Sequence, residues 1–151
     1  MISIVQSFEI DAAHRIHGHE NKCKHLHGHR YKFEIHLKSK DEGLDPLGRV
    51  IDFSRVKTLI GNWLNYYWDH GTILWMDDPI ASLWKTGGSL DEHKIFLIPG
   101  PPTAENLSDY LLSVANGIMQ MESLLIQVTK VVCWETPNCR AIATLEENRA
   151  I

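Results

Sequence analysis

Cys23-Lys24-His25-Leu26-His27-Gly28-His29-Arg30-Tyr31-Lys32-Phe33-Glu34-Ile35-His36-Leu37 is the stretch from which the rest of the chain can be read. From His29 onward, His29, Tyr31, Phe33, Ile35 and Leu37 share one parity, and Arg30, Lys32, Glu34 and His36 take the other. A period of two with one apolar side is the pattern of a half-buried β-strand. Side chains two apart in a strand point to the same face, so His27 and His29 fall on the core-facing side at its start. Two ring nitrogens there can converge on one ion.

Upstream, Ile2, Ile4, Phe8, Ile10 and Ala12 recur on one parity and predict a first strand. Two residues further, the same parity brings His14 onto the apolar face. His14, His27 and His29 are therefore expected at strand ends, where pairing of the two strands would bring them together. Residues 17–22 carry Gly18 and Asn21 and read as the connecting loop, and 39–50 are turn chemistry rich in Gly, Asp and Pro.

Phe53, Val56, Leu59, Ile60, Trp63, Leu64 and Tyr67 follow helical spacing, with Asp52 or Ser54 as the cap and an end near Trp68. Gly61 weakens that helix by up to about 1 kcal/mol relative to alanine. The segment 71–93 is less regular, and Asp78-Pro79 and Gly87-Gly88 bracket a short helix in a lid or insertion at about 75–93. Lys94 to Ile98 is a short strand. A second amphipathic helix carries Leu107, Tyr110, Leu111 and Val114 on one face, with Thr103 as its N-cap. Leu124 to Thr136 and Ala141 to Leu145 are strands about a Pro137-Asn138 turn. The order β-β-α-(insert)-β-α-β-β is an α+β pattern with mainly antiparallel pairing, expected as a single domain over residues 1–151.

Composition narrows the function classes. With 151 residues, 44% hydrophobic and 23% charged, the chain has ordinary globular proportions. A formal charge of −4 gives no basic footprint for nucleic acid. No apolar run approaches the ~20 residues of a membrane span, and no signal peptide is evident at the start. Three cysteines, Cys23, Cys133 and Cys139, suit a reducing compartment, and a cytoplasmic location is expected.

Neutral imidazole suits zinc, copper, iron and nickel. Three histidines leave a tetrahedral zinc one open position, as in a catalytic centre. A fourth ligand from Cys23 would close the shell and make the site structural, and spacing does not decide between the two. His17, His19 and His25 are looser alternatives, whereas His36 has the solvent parity. Beside histidines and a cation, Cys23 is set for a lowered pKa and thiolate chemistry, against the plainer reading of an inert buried thiol. Asp69-His70 is either a hydrogen-bonded pair or a helix C-cap. Glu135 ends an apolar strand, where a carboxylate must be paired or solvated. One use there is to accept two parallel N–H bonds from an amidine-like edge.

In order along the chain stand Ala12-Ala13-His14, Cys23-x-x-x-His27-Gly28-His29, Val50-Ile51-Asp52-Phe53, Asp69-His70, Pro102-Thr103-Ala104-Glu105-Asn106 and Trp134-Glu135-Thr136. With this ordered set the chain resembles the 6-pyruvoyltetrahydropterin synthase superfamily, most closely its 6-carboxytetrahydropterin synthase branch in queuosine and 7-deazapurine biosynthesis. The resemblance implies Zn2+ held by His14, His27 and His29, and Cys23 as catalytic acid/base assisted by Asp69 and His70. It also implies Glu135 anchoring the pterin ring of a small-molecule pterin triphosphate. The implied reaction is that of a lyase, converting 7,8-dihydroneopterin triphosphate to 6-carboxytetrahydropterin, acetaldehyde and triphosphate. A 6-pyruvoyl product, or cleavage of another pterin side chain, is the near alternative; a non-catalytic zinc scaffold is the distant one. The implied fold is the T-fold, a four-stranded antiparallel sheet backed by two helices. Its subunits close into barrels and stack as a homohexamer, with active sites between subunits. The chain departs from the compact members over Trp75 to His93, and in Trp68 before Asp69-His70.

Overall fold

The computed structural model describes residues 1–86 and 93–146. Strands β1 (Ser3–His14) and β2 (His27–Ser39) pair antiparallel from Ser3 opposite Lys38 to His14 opposite His27. The alternation read from the sequence holds along both. Ile10, Ala12 and His14 are buried on the face that also buries Tyr31, Phe33, Ile35 and Leu37. Between the strands, a 3-10 turn over Lys22–Lys24 is tied back by the Ile16 N–H donating to the Cys23 carbonyl at 2.7 Å.

Asp52 caps the first helix by accepting from the Ser54 N–H at 2.7 Å. The helical run passes from α1 (Phe53–Val56) through a π-helical segment (Lys57–Gly61) into α2 (Asn62–Tyr67). Gly61 is required by close approach, since a Cβ there would stand 2.9 Å from Phe8 Cε1 on β1. Trp68 ends the run as its C-cap, leaving Asp69 and His70 just beyond it. The second long helix, α4 (Ala104–Met121), starts at Thr103, whose side chain accepts from the Asn106 N–H, and buries Leu107, Leu111, Leu112, Ala115 and Met119. Both helical runs cover the apolar face of the sheet and share one core with it. Fully burying one such leucine contributes about 2 kcal/mol.

The sheet differs from the four antiparallel strands expected. It has six strands among the described residues, ordered β4-β3-β1-β2-β5-β6. The four long antiparallel strands are β1, β2, β5 (Ile126–Thr136) and β6 (Cys139–Thr144). Two short strands extend the β1 side in parallel: β3 (Thr72–Trp75) on β1, and β4 (Ile95–Ile98) on β3. In the sequence, β3 falls within the segment 71–93 that lacks a regular period. Ile73 and Leu74 are both buried, so this strand lacks the alternation that marks a half-exposed one.

The expected short helix is present as α3 (Pro79–Thr86). Its expected closure at Gly87-Gly88, like the rest of 87–92, lies outside the described residues. Asp78 opens α3 by accepting from the Ile80 N–H, and its buried carboxylate takes the Arg15 Nε–H at 2.8 Å. The residue after His14 is thereby fastened to the start of α3.

Two irregularities in β5 fix what its far end presents. Leu37 pairs with Val128 and His36 with Lys130, which leaves Thr129 as an extra residue. Such a bulge shifts the alternation by one. Val128 faces the core before it; Val131 and Cys133 do so after it. Glu135 inherits the core-facing parity only because of Thr129. A second shift, between Trp134 and Thr136 against β6, falls on Glu135 itself.

Candidate metal and pterin site

The β1–β2 register sets His14 opposite His27 and Ala12 opposite His29, so three imidazoles meet at the end of the hairpin where the connecting loop joins the strands. One ligating nitrogen from each lies within 4.8 Å of the others. His14 is buried, and its Nδ1 donates to the Pro102 carbonyl at 2.7 Å. His27 Nδ1 donates to the His25 carbonyl at the same distance. A carbonyl only accepts, so both Nδ1 atoms carry the proton in the neutral rings and both Nε2 atoms carry a lone pair. Those two Nε2 atoms are 3.1 Å apart. Facing lone pairs at that distance repel unless a cation lies between them, and a second bond from Nδ1 is how ligating histidines are oriented. The donor set fits a divalent metal of the zinc type.

Electrostatics point the same way. Burial lowers the His14 pKa to about 4; the Pro102 bond opposes the shift, and His27 and His29 add to it. Burial also lowers that of His29, against the nearby Glu135 carboxylate and with His27. Tyr31 forms the floor, its ring edge-on to His14 and His29 at 5.8 and 5.5 Å.

Glu135 reaches this centre from β5, with Oε1 3.4 Å from His14 Nε2 and 3.5 Å from His29 Nε2. It borders two cavities. One, of about 160 Å³, is shared with Cys23, Ile16, His19, Thr103 and Glu105. The other, of about 640 Å³, is shared with His29, Arg30, Lys32 and Trp134. Cys23 thus shares a small cavity with Glu135, the residue that touches His14 and His29, and is partly exposed and unpaired in any disulfide. Cys133 is buried in the core, where burial pushes its thiol pKa up, and Cys139 is exposed on β6.

Asp69 and His70 form the pair read from the sequence, with Asp69 Oδ2 3.0 Å from His70 Nδ1. Asp69 Oδ1 accepts the Asp11 N–H at 2.9 Å, and His70, at φ +57°, gives its own N–H to the Asp11 carbonyl at 2.7 Å. Burial works against the Asp69 carboxylate, but the Asp11 N–H, His70 and Lys94 outweigh it and its pKa is lowered. His70 lines a third cavity, about 510 Å³, with Asp11, His29, Arg30 and Thr72, and no contact joins it to Cys23 among the described residues. One chain therefore joins His14, His27, His29 and Glu135, with Cys23 beside Glu135, while Asp69 and His70 stand apart from Cys23, and His29 also borders the cavity of His70. The Pro102 and His25 carbonyls are not legible in the sequence, because backbone acceptors leave no mark in residue types.

Fold and centre together define the class: an α+β sheet with helices on one face and a three-histidine metal-type centre at its strand ends. The chain belongs to the 6-pyruvoyl tetrahydropterin synthase family, whose model matches residues 3–146. It is similar to the 6-carboxy-5,6,7,8-tetrahydropterin synthase of Rickettsia bellii, at 39% identity over 92% of this chain and 97% of that protein. The protein of the same name in Haemophilus influenzae is 30% identical over 91% of this chain and 94% of its own. Among solved structures, an uncharacterized protein from Wolinella succinogenes superposes with a TM-score of 0.78 at 23% identity, covering 96% of this chain and 98% of that one. The Caenorhabditis elegans 6-pyruvoyl tetrahydropterin synthase does so at 0.65 and 22% identity, covering 96% of each.

Proposed function

We propose that the protein is a zinc-dependent 6-carboxy-5,6,7,8-tetrahydropterin synthase, a lyase that converts 7,8-dihydroneopterin triphosphate and one water to 6-carboxytetrahydropterin, acetaldehyde and triphosphate. The observation that carries the proposal is the pair of Nε2 lone pairs of His14 and His27, 3.1 Å apart, with His29 and Glu135 beside them and Cys23 in the small cavity that Glu135 borders. The names of relatives at 36–39% identity support the same product.

His14, His27 and His29 would hold the metal, which when bound supplies a Lewis acid at the substrate's side-chain hydroxyls. Cys23, a thiol at the rim of that centre, moves protons to and from the side-chain carbons. Glu135 accepts the N–H groups of the pterin's guanidine-like edge, a bidentate match that fixes which carbon faces the thiol. Asp69 holds His70 in one orientation, and His70 governs proton delivery.

Cys23 and His70 border different cavities within one chain, which supports active sites formed between subunits of a homohexamer of two trimers. The exposed edge of β6 suits pairing with a neighbouring sheet, which would close a barrel. A cytoplasmic enzyme feeding queuosine or 7-deazapurine synthesis fits the three free cysteines. The test is product analysis on dihydroneopterin triphosphate with zinc-loaded and chelator-treated protein. Acetaldehyde and 6-carboxytetrahydropterin, lost on chelation, are the expected result; zinc-loaded protein that forms neither overturns the proposal.

A further inference from the structure

The Asp69–His70 turn is held from outside by a lysine that immediately precedes β4. Lys94 Nζ donates to the Asn65 carbonyl at 2.9 Å and to the Asp69 carbonyl at 2.5 Å. These acceptors lie in the last turn of α2 and just beyond it, where carbonyls lack helical partners and the dipole favours a cation. The Lys94 carbonyl accepts the Thr72 N–H at 2.9 Å, so the backbone of the same residue pins the start of β3. Gly71 makes room for the lysine stem: a Cβ there would stand 2.9 Å from Lys94 Cδ and 3.2 Å from the Trp68 carbonyl.

What Lys94 clasps is a turn that needs holding. His70 is one of three non-glycine residues with positive φ among those described, a left-handed backbone that crowds the Cβ of a side-chain-bearing residue. Its N–H is tied to Asp11, and the Gly71 carbonyl accepts from Ala13, so β1 holds the turn on one side. Lys94 holds it on the other. We propose that Lys94 is a positioning residue for the Asp69–His70 pair, keeping the imidazole in its working orientation without touching the reacting atoms. The proposal rests on the reading of Asp69 and His70 as catalytic. It also gives a role to the residue that follows the long 75–93 stretch.

The test uses the full-length, zinc-loaded protein with Lys94→Met, which keeps the stem and removes the donor, Lys94→Arg, which restores a donor, and Lys40→Met as a charge-matched control away from the turn. Lys94→Met is expected to speed amide hydrogen exchange over 69–72 and to lower kcat roughly five- to tenfold with KM within about twofold. Zinc content should be unchanged, Lys94→Arg should recover most of the rate, and Lys40→Met should match the parent. Unaltered exchange, or faster exchange with kcat intact, overturns the proposal. A parent protein with no turnover sinks the functional reading instead, and the exchange data then still decide whether Lys94 holds the turn.

Discussion

His14 and His27 point their Nε2 atoms at each other across 3.1 Å while each Nδ1 is engaged by a backbone carbonyl. Two acceptors in that relation are stabilised by a cation and by little else. Zinc at 100 times its dissociation constant should therefore stabilise the fold by about 2.7 kcal/mol. Thermal melts with and without chelator should differ by several degrees. His27→Ala should abolish the difference along with stoichiometric zinc in elemental analysis.

Cys23 separates a catalytic centre from a structural one. Cys23→Ala should retain zinc and melt like the parent, while turnover drops by about 10²- to 10⁴-fold, the range for losing a general acid or base. Loss of zinc in this variant would instead assign the sulfur to the metal shell.

Glu135→Gln keeps shape and burial but exchanges one acceptor oxygen for a donor. Losing a charge-assisted hydrogen bond of about 1.5–3 kcal/mol should weaken binding of a dihydropterin by roughly ten- to a hundredfold. Calorimetric titration with a pterin lacking the triphosphate isolates this contact, and unchanged affinity would remove Glu135 from ring recognition.

Asp78 and Arg15 make an acid-sensitive clasp. Burial opposes the Asp78 charge, but the Arg15 hydrogen bonds and the Ile80 N–H outweigh it, so the folded pKa lies below the ordinary carboxylate value. Depressed pKa means that the stabilisation is complete above the unfolded value near 3.9 and is lost as pH falls through the lower folded value. Asp78→Ala should cost about 3 kcal/mol at pH 7, because it strands a partly buried guanidinium. The gap to the parent in denaturant titrations should narrow as pH drops below about 4.

Gly61→Ala tests the packing of the π-helical segment on β1. Helix propensity alone favours alanine by about 1 kcal/mol. Displacing the Phe8 ring, 2.9 Å from the new methyl, costs about 1–3 kcal/mol. A lower melting temperature is expected; a rise would show that the ring yields freely.

The sequence by itself determined what is periodic and local. The parity that buries His14 with Ile10 and Ala12, and sets His27 and His29 with Tyr31, follows from strand alternation and survives in the structure. The caps at Asp52 and Thr103 and the helix end at Trp68 were also legible, because each is decided by chemistry within four residues. Tertiary structure alone decided the rest. Parallel pairing of Thr72–Trp75 on β1 joins distant chain and buries both faces, which erases the alternation. The Thr129 bulge depends on a partner strand some ninety positions away, and without it Glu135 would face away from His14. The Pro102 carbonyl meets His14 from 88 residues off. Side-chain periodicity encodes which face a residue shares. Register slips and backbone acceptors are settled only when distant segments pack.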